Sequence, residues 1–565
     1  MSSPAARKHP IRIVTAAALF DGHDAAINIM RRILQASGAE VIHLGHNRGA
    51  EEVVDAAIQE DAQGIAVSSY QGGHMEFFAY MRELLDKKGA RDVRIFGGGG
   101  GVIVPREIKK LEEAGIDRIF SPEDGRTLGL QGMIDLIMER CDFSTLEKAN
   151  GKVSAIAALK PSDTTVVAHL ITAAETGDPE LMQVLQEHVL PRAKARSPRA
   201  PVLGITGPGG AGKSSLTDEL VRRFLRDFPD QWVAIVAVDP TKRKSGGALL
   251  GDRIRLNALG LPRVYMRSLA TRSAGAEISS ATKSAIEVLQ AAGFGLIVVE
   301  TAGIGQGDAG ITQIADVCLY AMTSEYGAQS QLEKIEMIDF ADAIAINKFE
   351  RRGAEDALRD VRKQFRRSRV QFDGPDDALP VFGTIAGQFN DPGVSRLYSR
   401  LLKLIGEKTS VAFVSKNYVG AALEGGGRPG IIPPKKERYL AEISEAVRQR
   451  RLDVEARAQL ATHAYAAFTL IEGGTAFAVM GDAASSEADP VRRALMTRYD
   501  ETLRALGTES VGELAELAKN KETYSKDELV YSVRDKEVRT PLVSLSLSHT
   551  KIKKVALPRY RDWGD

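Results

Sequence analysis

The sequence predicts an α/β chain: a doubly wound parallel sheet, a second α/β domain built round a glycine-rich loop, and then a helical region. Three observations predict it. Over the first 140 residues, short apolar β-favouring runs alternate with segments of helical period. Gly207 to Ser214 is a glycine-rich stretch set between strand and helix signals. Past residue 410 the β-favouring runs yield to charged amphipathic helix patterns.

A chain of 565 residues has room for about three to four domains. At 44% hydrophobic and 26% charged it can bury several cores. A net charge of +1 removes the electrostatic case for nucleic acid or a membrane surface as the main partner. Cys141 and Cys318 lie too far apart in sequence to support a disulfide framework or a cysteine metal site. No run approaches membrane-spanning length and the first ten residues lack an apolar core, so the expectation is a cytoplasmic chain.

The first domain is read as 1–140, with strands at 11–18, 40–43, 64–68, 93–96 and 117–120 and helices such as 25–35 and 74–85 between them. That alternation predicts a flavodoxin-like sheet of strand order 2-1-3-4-5, with ligands at the carboxyl ends of the strands. The unusual residues fall there: Asp21-Gly22-His23 after the first strand, Ser68-Ser69-Tyr70 after the third, and Gly97 to Gly101 after the fourth. A carboxylate beside a histidine fixes the tautomer of a ligating imidazole and raises its basicity. Consecutive glycines let a large ligand lie against backbone. The same residues would equally suit an exposed loop and a flexible turn. Residues 141–200, punctuated by Lys160-Pro161 and by prolines from 191 to 201, read as a helical linker whose charges are expected on solvated faces.

The second domain is read as 201–412, with strands at 202–205, 233–238, 296–299 and 343–346. Gly207 to Ser214 fits G-x-x-x-x-G-K-[ST], the loop whose backbone N–H groups, here including Gly210, Ala211, Gly212 and Ser215, meet nucleotide phosphates. Lys213 is expected on the β- and γ-phosphates and the Ser214 hydroxyl on Mg²⁺. Asp239, Asp252, Glu300 and Thr301 stand at or near strand ends, where Mg²⁺ or its waters are held. Asn347-Lys348-Phe349-Glu350 resembles the N-K-x-D guanine signature, with Glu350 in place of aspartate. A carboxylate there can accept from N1–H and the exocyclic amine of guanine, whereas adenine has no N1 donor. Arg255 and Gln306 are the candidates for charge stabilisation and water positioning. Residues 413–520 read as a helical region, with long helices at 438–454 and 486–506, and 521–565 as an extended, proline-marked segment.

Asp21-x-His23, Ser68-x-Tyr70 and Gly97-Gly98 resemble the D-x-H-x-x-G … S-x-L … G-G signature of base-off/His-on cobalamin domains. The resemblance implies that His23 is the lower cobalt ligand, Asp21 its partner, and Ser68, Gly97 and Gly98 the lining of a pocket for the displaced nucleotide tail. Ala26 stands where that signature has glycine, and Tyr70 where it has leucine. The loop, Asp239-Pro240, Glu300-Thr301-Ala302-Gly303 and Asn347-Lys348 together resemble the G-protein chaperones of adenosylcobalamin mutases. The module order is similar to the fused isobutyryl-CoA mutase family across essentially the whole chain, with 521–565 resembling the entry segment of a mutase large subunit. That resemblance implies adenosylcobalamin, GTP and Mg²⁺ as ligands, GTP hydrolysis gating cofactor loading, a homodimer, and radical interconversion of isobutyryl-CoA and n-butyryl-CoA. The catalytic barrel, of about 250 residues, does not fit after residue 520, so the expectation is a GTPase that needs a barrel from elsewhere. The alternative is a stand-alone chaperone serving a separate acyl-CoA mutase subunit. A nickel-insertion GTPase should show a Cys/His cluster, which Cys318 alone does not supply.

Overall fold

The computed structural model describes residues 7–146, 159–242, 245–251, 253–272, 278–301, 310–327, 332–333, 335–371, 373–418, 439–472, 490–533 and 536–565. The chain divides into two compact units, Met1–Gly425 and Gly426–Asp565.

The first unit opens with β1 (Arg12–Ala18), α1 (Ala25–Ala36), β2 (Glu40–Arg48), α2 (Ala50–Gln59), β3 (Gly64–Ser68), α3 (His74–Lys87), β4 (Arg94–Gly98), α4 (Pro105–Glu113), β5 (Arg118–Phe120), α5 (Pro122–Thr127) and α6 (Gly129–Arg140). α7 (Thr164–Thr176), α8 (Pro179–Val184) and α9 (Leu190–Ala195) follow, and then β6 (Val202–Thr206), α10 (Lys213–Asp227), β7 (Val233–Asp239) and β8 (Ala248–Leu250). β9 (Val264–Ala270), α11 (Thr282–Ala292), β10 (Leu296–Glu300), β11 (Val317–Met322), β12 (Ala343–Asn347) and β13 (Val381–Thr384) complete the strands of this unit.

The expected order 2-1-3-4-5 is found, read from the far edge as β5-β4-β3-β1-β2. Residues 12–18 of β1 are all buried, because helices cover both faces of the parallel sheet. Phe77, Phe78 and Met81 of α3 pack on one face, and Leu34 of α1 with Ile134 and Ile137 of α6 on the other. The second sheet runs β13-β12-β11-β6-β10-β7-β9, so β6 is central and feeds the glycine-rich loop.

Two features depart from the sequence expectation. First, the sheet of the first domain has a sixth strand, β8, contributed by the second domain. It lies parallel to β2, with Glu40 opposite Ala248 and Ile42 opposite Leu250. Ala248 and Leu250 are buried in the first domain's core, while Leu249 between them is exposed. A Cβ on Gly247 would stand 2.1 Å from the Gln35 carbonyl oxygen, so the strand enters only because that residue is glycine. Second, much of 141–200 is not a linker. Val167, Leu170, Ile171, Leu181 and Val189 are buried in one cluster with Ala285 and Leu289 of α11. Pro191, read as linker punctuation, lies in the first turn of a short helix, as does Pro179.

In the second unit, helices Tyr439–Glu472 and Pro490–Leu506 pack together, and Trp563 lies against Tyr465 and Phe468 at ring-centroid distances of 5.5 and 5.2 Å. The segment expected to be extended folds into two antiparallel hairpins, Glu528–Val533 with Lys536–Pro541 and Val543–Leu545 with Lys551–Lys553. Among the described residues, no helix is long and apolar enough to cross a membrane.

Candidate functional site

At the carboxyl end of β1 the chain turns out of the sheet, and Asp21 tucks inward while the imidazole of His23, 77% exposed, faces outward. Asp21 Oδ1 accepts from the His23 backbone N–H at 2.9 Å and lies 2.9 Å from His23 Nδ1. Its other oxygen accepts from the Tyr70 N–H at 2.6 Å. Burial alone would raise the Asp21 pKa, but these donations from Tyr70 and His23 hold it below the ordinary carboxylate value. With Nδ1 committed to Asp21, Nε2 is the nitrogen left to a ligand. The Tyr70 ring sits 5.7 Å from the imidazole.

A cavity of about 330 Å³ opens beside this loop, between α1, α6 and the ends of β3 and β4, and its walls include Ala26, Ser68, Gly98, Phe96 and Met133. The Ser68 hydroxyl is buried in that wall with no hydrogen-bond partner, which a polar group of an occupant would supply. The exposed imidazole, the cavity and this orphaned hydroxyl fit a corrinoid with a displaced tail.

Gly97 and Gly98 both line this cavity. A Cβ on Gly97 would also lie 2.4 Å from Phe78 Cζ, on the opposite face of the sheet, so its smallness serves α3 packing as well. A Cβ on Gly98 would meet Phe120 only at ordinary contact, 3.5 Å or more. The fold leaves room at Gly98 that packing does not require.

The glycine-rich loop leaves β6 and enters α10 at Lys213. Gly212 has φ +89° and a Cβ there would stand 2.3 Å from Asn347 Nδ2, so both backbone and space demand glycine. Asn347 is buried and donates Nδ2–H to the Ala211 carbonyl at 2.9 Å, while its Oδ1 accepts from the Ala386 N–H at 3.0 Å. It thereby ties the Gly210–Ala211–Gly212 loop to the 384–388 loop. Lys213 Nζ donates to the carbonyls of Gly207 and Pro208 at 2.9 and 3.3 Å. Ser214 Oγ donates to Glu300 Oε1 at 2.7 Å, and Thr217 Oγ1 donates to Glu300 Oε2 at 3.0 Å. Ser215 is half-buried in the first turn of α10. The Thr301 hydroxyl is buried and pairs with Thr206 Oγ1 at 2.8 Å, clasping two strand ends. Asp239 ends β7, two strands from β6, and accepts from the Gly251 N–H. Ser214 and Glu300 bring oxygen donors together, the ligand type a hard cation takes. Lys348 holds φ +57° after β12, and Glu350 beyond it is exposed. Arg255 is exposed in a single 3₁₀ turn. Asp252 and Gln306 lie outside the described residues.

Several residues here carried no sequence signal that was used. Asp391 accepts from the Ile385 and Val394 N–H groups, supporting the 384–388 loop. The Asp391-Pro392 pair, a helix cap followed by proline, could have revealed it. The charges joining the two domains had no such mark. Glu60 is fully buried and accepts from Arg253 Nη1 at 2.7 Å and from the Ser268 N–H at 2.8 Å. Glu175, whose segment was expected to be solvated, is 2% exposed and pairs with Arg12 and Arg267.

Glu40 joins Arg12 of its own sheet, at 2.8 Å, to Arg272 of the second domain, at 2.9 Å. Burial alone would raise its pKa, yet the two guanidinium groups hold it well below the ordinary carboxylate value. The unfolded carboxylate takes up a proton first as the pH drops. Its stabilisation is therefore complete above the ordinary carboxylate range, about pH 4, and is lost as the pH falls below it. Urea unfolding between about pH 5 and pH 3 should show a larger stability loss in the wild type than in Glu40→Gln. Equal losses would exclude Glu40 as the acid-sensitive group.

Residues 11–128 match the family described as B12 binding domain, and residues 167–391 the family described as methylmalonyl Co-A mutase-associated GTPase MeaB. Several relatives bear the description fused isobutyryl-CoA mutase. That of Geobacillus kaustophilus is 53% identical over 99% of this chain and 50% of its own length. That of Cupriavidus metallidurans is 50% identical over 98% of this chain and 49% of its own. That of Nocardia farcinica is 48% identical over 99% of this chain and 50% of its own. The chain spans about half the length of these curated relatives.

Proposed function

The chain is a relative of fused isobutyryl-CoA mutases that carries a B12-binding domain followed by a MeaB-type GTPase, and from that premise we propose that it binds adenosylcobalamin through His23 and hydrolyses GTP with Mg²⁺ to gate the loading of that cofactor. The mutase barrel it serves, in the same or a separate chain, would interconvert isobutyryl-CoA and n-butyryl-CoA. A homodimer in the cytoplasm is part of the same reading. Bound adenosylcobalamin would supply the radical by cleavage of its Co–C bond.

The residues divide the work. His23 Nε2 ligates the metal while Asp21 holds Nδ1, fixing the tautomer and strengthening the ligand. Ser68, Gly97 and Gly98 receive the tail. Lys213 and the loop N–H groups neutralise the triphosphate, and Ser214, Glu300 and Asp239 hold the cation. Glu350 reads guanine, and its exposed position suits a base bound at the surface.

The single observation that carries the gating is β8. Asp239 at the nucleotide site accepts from the Gly251 N–H, and Gly251 directly follows β8, which is hydrogen-bonded into the cobalamin sheet. A shift of the nucleotide-side loop therefore pulls on β2, the strand between β8 and β1, and through it on the end of β1 that leads to His23.

The test is an absorbance spectrum of the protein with adenosylcobalamin, wild type against His23→Ala. The wild type should show the histidine-ligated form and the variant should lose it. Identical spectra would remove His23 from the site.

A further inference from the structure

We propose that Thr217 is a positioning residue for Glu300, setting the carboxylate on which the cation site is built; the proposal rests on the Mg²⁺-nucleotide reading above. Glutamate at a strand end carries one more rotatable bond than aspartate, so its carboxylate needs two anchors to hold one orientation. The structure supplies both from α10. Ser214 and Thr217 are three residues apart and share a helix face. Each donates to a different oxygen of Glu300, at 2.7 and 3.0 Å. Thr217 is 0% exposed, so no water can replace its hydroxyl. A helical threonine divides between two χ1 rotamers, and the one present here aims the hydroxyl at Glu300. With its proton on Glu300, Ser214 Oγ keeps its lone pairs for a cation. The backbone on the other side is held as well, since Thr301 N–H donates to the Ile205 carbonyl at 3.1 Å.

The test measures GDP binding to the full chain, with a fluorescent GDP analogue, in EDTA and across a Mg²⁺ series. Thr217→Val keeps the shape and removes the donor, and Thr217→Ser restores it. Affinity in EDTA should be the same in all three proteins. The Mg²⁺ concentration at half-effect should rise by about 10-fold or more in Thr217→Val and return to the wild-type value in Thr217→Ser. An unchanged Mg²⁺ dependence in Thr217→Val overturns the proposal. So does an equal loss of Mg²⁺-free affinity in both variants, which marks a merely structural role. Failure of the wild type to bind GDP at all removes the nucleotide reading itself, and the proposal with it.

Discussion

Replacing Lys213 with alanine should lower GTP turnover by about 10²–10³-fold, equivalent to roughly 3–4 kcal/mol of transition-state stabilisation. Lys213 is 8% exposed and its ammonium lies over its own loop, donating to two backbone carbonyls. Phosphate oxygens are stronger partners for an ammonium than these neutral carbonyls. On a triphosphate the ammonium stands where charge accumulates during phosphoryl transfer. Phosphate release from GTP and from ATP should be compared in wild type and Lys213→Ala, with Ser214→Ala as a second site control. GTP should be preferred, and both variants should lose the activity. A rate within a few-fold of wild type in Lys213→Ala would mean that hydrolysis occurs elsewhere.

The second large effect concerns the joint between the domains. Arg253→Met should destabilise the first unit by about 3–5 kcal/mol, because it leaves the Glu60 carboxylate buried with its main positive partner gone. Arg253 also donates to the Met266 carbonyl at 3.3 Å and to the Gln59 side chain, so the loss spreads along the whole contact. Glu60 is at 0% exposure and Arg253 at 5% on the side-chain scale, so neither has water as a substitute. The double variant Glu60→Met/Arg253→Met removes both charges and should recover most of the stability. Urea unfolding of the three proteins measures this. Should Arg253→Met cost less than about 1 kcal/mol, the pair behaves as a surface bridge and does not fasten the domains.

Much of the site could be read from the chain because its parts are local. Gly207 to Ser214 is one strand-loop-helix turn, and Asp21 and His23 are two residues apart in one loop. The parallel sheet followed from alternation, since parallel strands need crossover helices, and its order from the flavodoxin-like arrangement. What escaped is long-range. Glu60, Glu175 and Arg253 look like ordinary surface charges in sequence, and only packing makes them buried partners. Gly97 and Gly98 are neighbours of one type and both line the cavity, yet only Gly97 must also leave room for Phe78. No pattern in the glycine run distinguishes them.

By itself, then, the chain's order of residues determined the two folds, the phosphate loop, the Asp21–His23 pair and the Asn347 position, because each depends on spacing within a few residues or on one repeated period. Only the tertiary structure decided that Ala248–Leu250 completes the other domain's sheet, that 164–195 belongs to the GTPase core, and that Thr217 reaches Glu300. The reason is physical. A strand joins a sheet edge through backbone N–H and C=O groups that every residue has, and a buried ion pair forms between side chains whose sequence positions place no constraint on each other.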